Sequence, residues 1–303
     1  MRGLLFLVSK AGDRDQPAVA PWSLIPILCL VFGAISMVGL FYLVKFLNKR
    51  QNKKIINIII FCYGLAFLEM EIYHQINRYF MLGFYDWSSF PFQFCSIPIY
   101  FCLILPFIKN EKVREPIFYY FAIYNLISGV FPLLFGQGNL CRWSTVADTI
   151  RSFVWHILIV QLAIISFTHK NVAYDLKKTY KPLIGAICIF ISLTVIAQLI
   201  NVTLHYTGGI YFGTTDGSVI KEVINTTLRD PDSASCFYIS PFFVSNMPVY
   251  STIWRKFGRL TNYILYILSF SLLAIIIYFV TYEIKALIVK FKNKNLKNAE
   301  IAG

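Results

Sequence analysis

The stretch Trp87-Ser88-Ser89-Phe90-Pro91-Phe92-Gln93-Phe94-Cys95-Ser96-Ile97-Pro98-Ile99-Tyr100 continues to Pro106 without a single charge. Aromatic rings and a proline open it, an apolar run follows, and a cysteine with polar neighbours sits just inside. Tryptophan and tyrosine collect at the membrane–water boundary, and proline suits a first helical turn, where its missing N–H would be unpaired anyway. The stretch therefore reads as a helix entering a bilayer. Gln93 and Cys95 are the exceptions within it, polar groups at a depth where hydrocarbon has replaced water.

The rest of the chain has the same character. Of 303 residues, 57% are hydrophobic and only 14% charged, against about 25% charged in a soluble protein. The mean hydropathy is +0.62. A formal net charge of +13 does not indicate nucleic acid, because the basic residues fall between apolar runs and not along one amphipathic face. They act as topology signals at a membrane surface.

A bilayer core of about 30 Å needs about 20 apolar residues per helix. Seven segments qualify: Trp22 to Leu47, Lys54 to Ile76, Pro91 to Ile108, Pro116 to Phe135, Thr149 to Thr168, Pro182 to Tyr206 and Leu260 to Ile288. Lysine and arginine clusters follow the first, third, fifth and seventh of them: Lys45 to Lys54, Lys109 to Arg114, Lys170 to Lys181 and Lys290 to Lys297. By the positive-inside rule these clusters are cytoplasmic. The expected fold is an all-α integral membrane protein, a seven-transmembrane-helix bundle with its N-terminus outside and its C-terminus cytoplasmic, placed in the cell membrane. Residues 1–21 form an extracytoplasmic segment with no cleaved signal. Residues 22–288 form the membrane domain, with a long outer loop at 207–259, and residues 289–303 a basic tail. The loop is polar and turn-rich at first, then apolar around Pro241 and Pro248, so that half lies in the interface or re-enters among the helices. Asn201 and Asn225 match a glycosylation acceptor pattern.

Seven cysteines show no CxxC spacing and no pairing with histidine, so neither a metal nor another cofactor is expected. Cys141 and Cys236 fall in loops on the outer side, where a disulfide between them is one possibility.

Depth then sorts the polar residues. Glu69, Glu71 and His74 occupy the outer half of the second span, with Arg78 at its exit; Gln93, Cys95 and Ser96 open the third; Arg151, Ser152 and His156 open the fifth; Gln198, Asn201 and His205 close the sixth; Asn125 and Ser128 lie near mid-depth in the fourth. A charge at mid-membrane costs about 2.5–3.5 kcal/mol on insertion scales, so such residues face the bundle interior and pair. Glu71, His74 and Arg78 stand at i, i+3 and i+7, one stripe along which they can pair in sequence, and a packing network explains that stripe as well as function does. His169, among lysines, reads as a surface residue.

Cys95 and His156 share a depth. A neutral imidazole near a thiol can take its proton and leave the nucleophilic thiolate, while an apolar setting leaves a thiol inert. Arg78 and Arg151 are the cations able to tip that balance. Gln93 or Arg151 can stabilise an oxyanion, and the arginines with Asn201 can hold a head-group phosphate. Two function classes follow. The first is an enzyme of nucleophilic chemistry with Cys95 and His156 catalytic and Glu71, His74, Arg78, Gln93, Arg151 and Asn201 binding substrate. The second is a lipid or small-solute binding or transport protein using Glu69, Glu71 and His74 as a proton-coupled site. Membrane lipids are the expected partners.

The residues Phe90-Pro91-Phe92-Gln93-Phe94-Cys95-Ser96-Ile97 resemble the signature of the YwaF-like integral membrane proteins, which are similar to an animal cysteine-dependent acyltransferase that remodels ether phospholipids. Phe153-Val154-Trp155-His156-Ile157-Leu158-Ile159-Val160 looks like that family's histidine-bearing helix start, and Phe237-Tyr238-Ile239-Ser240-Pro241 like its aromatic segment before the last helix. The resemblance implies a seven-helix fold with Cys95 as the acyl-accepting nucleophile and His156 as its base, and so a phospholipid or lysophospholipid acyltransferase. Residues 207–235 depart from it as an insertion, and Ser235-Cys236 stands where an asparagine is expected.

Overall fold

Pro98 decides how the chain turns into the bundle. A helix begun at Pro91 would put Pro98 well inside it, where the missing N–H and the ring clash cost about 3 kcal/mol. In the computed structural model the chain instead runs through a non-helical turn from Phe90 to Ser96, with Phe92 N donating to Phe90 O at 2.7 Å and Ser96 N to Gln93 O at 2.8 Å. The helix starts only at Ile97, so that Pro98 lies in its first turn. The described residues are 19–82, 85, 90–141, 145–170, 172, 175–207 and 248–302.

Named in chain order, the helices are α1 Leu24–Lys49, α2 Lys53–Leu82, α3 Ile97–Ile104, α4 Glu111–Phe135, the short α5 Gln137–Leu140, α6 Val146–His169, α7 Leu176–Thr207 and α8 Pro248–Ala302. The described residues contain no strand. Among the described residues, six helices are long and apolar enough to cross a membrane. The expected third span is shorter: α3 and the 3₁₀ turn Leu105–Phe107 make one apolar helix, Ile97–Phe107. Pro91–Ser96 do not extend it, for the reason just given.

Two other proline-started spans begin earlier than expected. Pro116 lies inside the first part of α4 and Pro182 inside α7. In α4, Asn110 caps the helix by accepting from Lys112 N at 3.0 Å, which moves its start to Glu111. The Pro116 ring then packs where a side chain on Gly185 would stand, 2.7 Å from that glycine's built Cβ, and brings α4 against α7.

Helices α4 and α6 are the centre. Of their most apolar stretches 67% and 61% are buried, against 28% or less in the other four long helices. Those four present Phe32, Ile58, Leu199 and Leu268 outward, the inside-out surface of a protein solvated by lipid. Because lipid is as apolar as leucine, close packing through small residues holds such helices together. Gly33 of α1 meets Ile157 of α6, Gly64 of α2 meets the Leu103 backbone of α3, and Gly129 of α4 meets Val160 and the His156 carbonyl of α6.

Helix α4 is interrupted by a π-helical turn, Phe121–Asn125. Tyr124 from that turn stacks on Phe190 of α7 with ring centroids 4.6 Å apart, and Phe94 packs edge-on against Phe190, Tyr124 and Phe270 of α8. The turn preceding α3 is thereby anchored by aromatic contacts on three helices. Mid-bundle, Tyr63 of α2 donates to Gln161 of α6, whose amide donates to Ser36 of α1 at 2.7 Å.

The basic end is pinned separately. Lys170 pairs with Glu111 at 2.7 Å, and Lys285 of α8 donates to the Val172 carbonyl. His169 is half-buried, not a surface residue: its Nδ1 sits 2.8 Å from Asn48 Oδ1 and its ring lies against Phe118. The residues 208–247, including most of the expected outer loop, its Phe237–Pro241 motif and Cys236, lie outside the described residues, as do residues 1–18.

A methyl at Gly129 would stand 2.5 Å from Val160 Cγ2 and 3.0 Å from the His156 carbonyl oxygen, whereas one at Gly39 meets nothing within 4 Å. Gly129→Ala is expected to destabilise the detergent-solubilised protein by about 1–3 kcal/mol, and Gly39→Ala to stabilise it by about 0.5–1 kcal/mol. Thermal unfolding of the two variants side by side checks this.

Candidate functional site

The turn before α3 has a consequence for Cys95. In a continuous helix its carbonyl would be taken by the N–H of residue 99, but Ile99 N bonds Ser96 O at 3.1 Å. The released carbonyl accepts instead from Trp155 Nε1 of α6 at 3.0 Å. Trp155 also packs edge-on against Phe67 of α2 at 4.9 Å. One indole thus fixes the cysteine turn to α6 and α2 together.

Polar and charged groups act on the thiol. Cys95 Sγ faces Gln93 Oε1 at 3.9 Å, and Glu71 and Arg151 both act on it electrostatically. Glu71 is 8% exposed and accepts from Gln75 Nε2 at 2.6 Å. The expected stripe on α2 pairs across helices as well as along it: His74 Nδ1 is 3.2 Å from an Arg151 terminal nitrogen of α6. Arg78 is half-buried, while Glu69 is exposed and stands apart from Glu71. The side chain of Asn201 lies outside the described residues.

Arg151 rests on Asp148, with Nε 3.7 Å from Oδ1. Asp148 is 3% exposed; its other oxygen accepts from Thr145 Oγ1 at 2.6 Å and from Asn77 Nδ2 of α2 at 3.2 Å. Thr145 in turn caps α6, accepting from Asp148 N at 3.1 Å. Thr145 supplies the N-cap half of a capping box, while the Asp148 carboxylate bonds back to the Thr145 hydroxyl at the positive end of the helix dipole. The pattern Thr145-x-x-Asp148 signals that helix start, and Asn77 lies three residues beyond His74 on the same stripe. These were the legible signs of a carboxylate that charge counting assigns to a loop.

His156 is buried, and its Nδ1 donates to the Ser152 carbonyl at 2.8 Å. The ring proton therefore resides on Nδ1 and the lone pair on Nε2, the form that accepts a proton. No hydrogen bond joins this ring to the Cys95 thiol; Trp155, its neighbour in α6, makes the contact with Cys95. Asn125, at the end of the π-turn, is fully buried with both amide atoms unpaired. Among the described residues no group of three acidic, cysteine or histidine side chains is placed to hold a metal.

What these observations define is a multi-pass helical membrane protein whose buried ionisable groups, drawn from α2, the turn before α3 and the start of α6, meet at one end of the bundle. The chain belongs to the TMEM164 family, whose family model matches residues 20–282 and so includes every residue of this site. No curated protein and no solved structure matches it.

Trp155→Phe keeps the ring contact with Phe67 and removes the bond to the Cys95 carbonyl. Losing that bond, worth about 1 kcal/mol, should loosen the turn and speed alkylation of Cys95 by roughly fivefold, read residue by residue by mass spectrometry. An unpaired buried amide costs about 1–3 kcal/mol, so Asn125→Leu should unfold at a higher temperature than the parent; a lower one would show that its amide has a partner in the folded protein.

Proposed function

We propose that this protein is a membrane-embedded acyltransferase acting on phospholipid or lysophospholipid, with Cys95 as the acyl-accepting nucleophile and His156 as its base. The observation that carries the reading is the placement of a thiol in a non-helical turn tied to α6 through Trp155 and subject to the charges of Glu71 and Arg151. Packing alone gives no reason to gather ionisable groups around a thiol, since each costs desolvation energy. The likeness of Phe90–Ile97 and Phe153–Val160 to the YwaF-like proteins points the same way, and the loop charges favour a seven-span arrangement with the site opening to the outer leaflet of the cell membrane.

In this mechanism substrate binding brings the thiol and the His156 ring together, as catalytic contacts that are long at rest often tighten in the complex. His156 Nε2 takes the Cys95 proton. The thiolate attacks the acyl carbonyl carbon, the ester C–O bond breaks, and the departing alkoxide takes the proton back from His156, leaving a lysophospholipid and an acyl thioester. A second hydroxyl then gives its proton to His156 and attacks the thioester, restoring the thiolate and transferring the acyl chain. Gln93 and Arg151 are the candidate donors for the oxyanion, and Arg78 and Asn201 are the head-group candidates. Electrostatic stabilisation of that oxyanion is worth about 3–4 kcal/mol per donor in acyl-transfer enzymes.

Labelling of the reconstituted protein by a fluorescent acyl-phospholipid should yield a hydroxylamine-sensitive adduct on Cys95. Cys95→Ala should abolish it, and His156→Ala should slow it by about 100-fold or more. An undiminished adduct in both variants rejects the dyad. Unchanged cellular lipid profiles in Cys95→Ser, with solute or lipid movement lost in Glu71→Gln, would favour the transport reading.

A further inference from the structure

At the end of the bundle opposite the cysteine turn, cations collect around an aromatic ring. Phe118 of α4 is fully buried; the Lys170 ammonium lies 5.2 Å from its centroid, the Arg114 Cζ 5.9 Å and the His169 ring 5.5 Å. An aromatic face attracts cations at such distances, yet it carries no charge to neutralise them. Neutral groups complete the cage. Arg114 Nη2 donates to Asn57 Oδ1 of α2 at 2.8 Å, and its Nε is buried without a hydrogen bond. Asn48 of α1 fixes His169, because its Nδ2 donates to the Thr168 carbonyl and so turns Oδ1 toward His169 Nδ1 at 2.8 Å.

Glu111 bridges the cations. It accepts from Lys170 Nζ at 2.7 Å, and its other oxygen stands 3.6 Å from Arg114 Nη1. Exposure separates the three: the Arg114 and Lys170 side chains are 13% and 17% exposed, that of Glu111 53%. The cations are held and largely desolvated, whereas the carboxylate has water into which to swing. Lys53 stands one turn before Asn57 on the same face of α2 and is exposed, which adds a third cation at the rim.

An anion that takes the place of the carboxylate must offer several strong acceptor oxygens to a guanidinium and an ammonium together, which describes a phosphate. The surroundings make it a lipid phosphate. Ile58 beside Asn57, Val113 beside Arg114 and Phe107 just before α4 are exposed apolar residues, a surface for acyl chains next to the cations, and basic pockets between membrane helices take lipid head groups. We propose that Arg114 and Lys170, with Lys53 at the rim, bind the phosphate of an anionic phospholipid in the leaflet at the basic end, and that Glu111 is the resident counter-ion which the head group displaces. This site lies at the other end of α6 from the cysteine turn and stands whether or not the thiol is reactive.

Full-length protein in dodecyl maltoside is titrated with dioleoyl phosphatidic acid and, separately, with dioleoyl phosphatidylcholine, and bound lipid is counted by native mass spectrometry. The parent should retain phosphatidic acid at concentrations where phosphatidylcholine is lost, and millimolar inorganic phosphate should not compete. Arg114→Gln and Lys170→Gln should each weaken phosphatidic acid binding by about fivefold, the worth of a cation beside an anionic head group. Glu111→Gln should tighten it by a similar factor, an outcome that an ion pair serving only to join α4 to α6 does not give. Lys178→Gln, at a side chain 84% exposed, should leave binding unchanged. A loss in Lys178→Gln equal to that in Arg114→Gln shows diffuse surface attraction and overturns the site. Competition by phosphate overturns the lipid as its ligand, and weaker binding in Glu111→Gln overturns the displaced counter-ion. Should Arg114→Gln fail to fold, Lys170→Gln just beyond the end of α6 and Glu111→Gln carry the same requirements.

Discussion

Hydrocarbon offers no hydrogen bonds, and that constraint shapes everything at the polar end of this bundle. In water Glu71, His74, Asp148 and Arg151 would each be solvated separately. Inside the bundle each must be matched to another protein group, and the only way to match groups carried by α2 and α6 is to bring those helices together with their polar faces in contact. The apolar faces impose no such register, because they meet lipid as readily as protein. Side-chain pairing between Asn77 and Asp148 and between His74 and Arg151 therefore sets the alignment of the two helices, and small residues such as Gly129 and Gly33 set how closely the central pair is packed.

The same constraint acts on the backbone. Prolines remove donors, and each place where a donor is lost frees a carbonyl that must be matched. The turn that puts Pro98 in the first turn of α3 also leaves the Cys95 carbonyl without a helical donor, and Trp155 supplies one. The stability of the cysteine turn is thus a property of α6 as much as of its own sequence, and the aromatic stack through Phe94, Phe190 and Phe270 supplies the apolar half of the same anchorage.

Much of the architecture was legible in the sequence because membrane spans are written in composition. Long uncharged runs locate α1, α2, α4, α6 and α7 with ends displaced by no more than about two helical turns, and mark only the middle of α8, which runs from Pro248 to Ala302. The convergence of Glu71, His74, Cys95 and Arg151 at one end follows from depth alone. What depth does not specify is azimuth. The i, i+3, i+7 stripe of Glu71, His74 and Arg78 suggested pairing along α2, and depth gave no sign that His74 also meets Arg151 on α6. Trp155 and His156 differ by one residue and hence by about 100° around the helix, which is why the cysteine turn meets the indole and not the imidazole. Asp148 was hidden because a charge near a span end counts as loop until its cap is considered. The short third helix was missed because a proline can start a helix or postpone it, and the second proline, Pro98, decided which.

The π-turn at Phe121–Asn125 amounts to one residue more than a regular helix would use over the same rise. Winding those same residues as a regular helix would instead swing Leu126–Phe135 through about 100° relative to the half that begins at Glu111. Gly129 would leave its seat beneath the His156 carbonyl, and a bulkier neighbour would arrive in its place. The wide turn, by absorbing one residue, is thus what keeps the histidine's helix seated against the second half of α4.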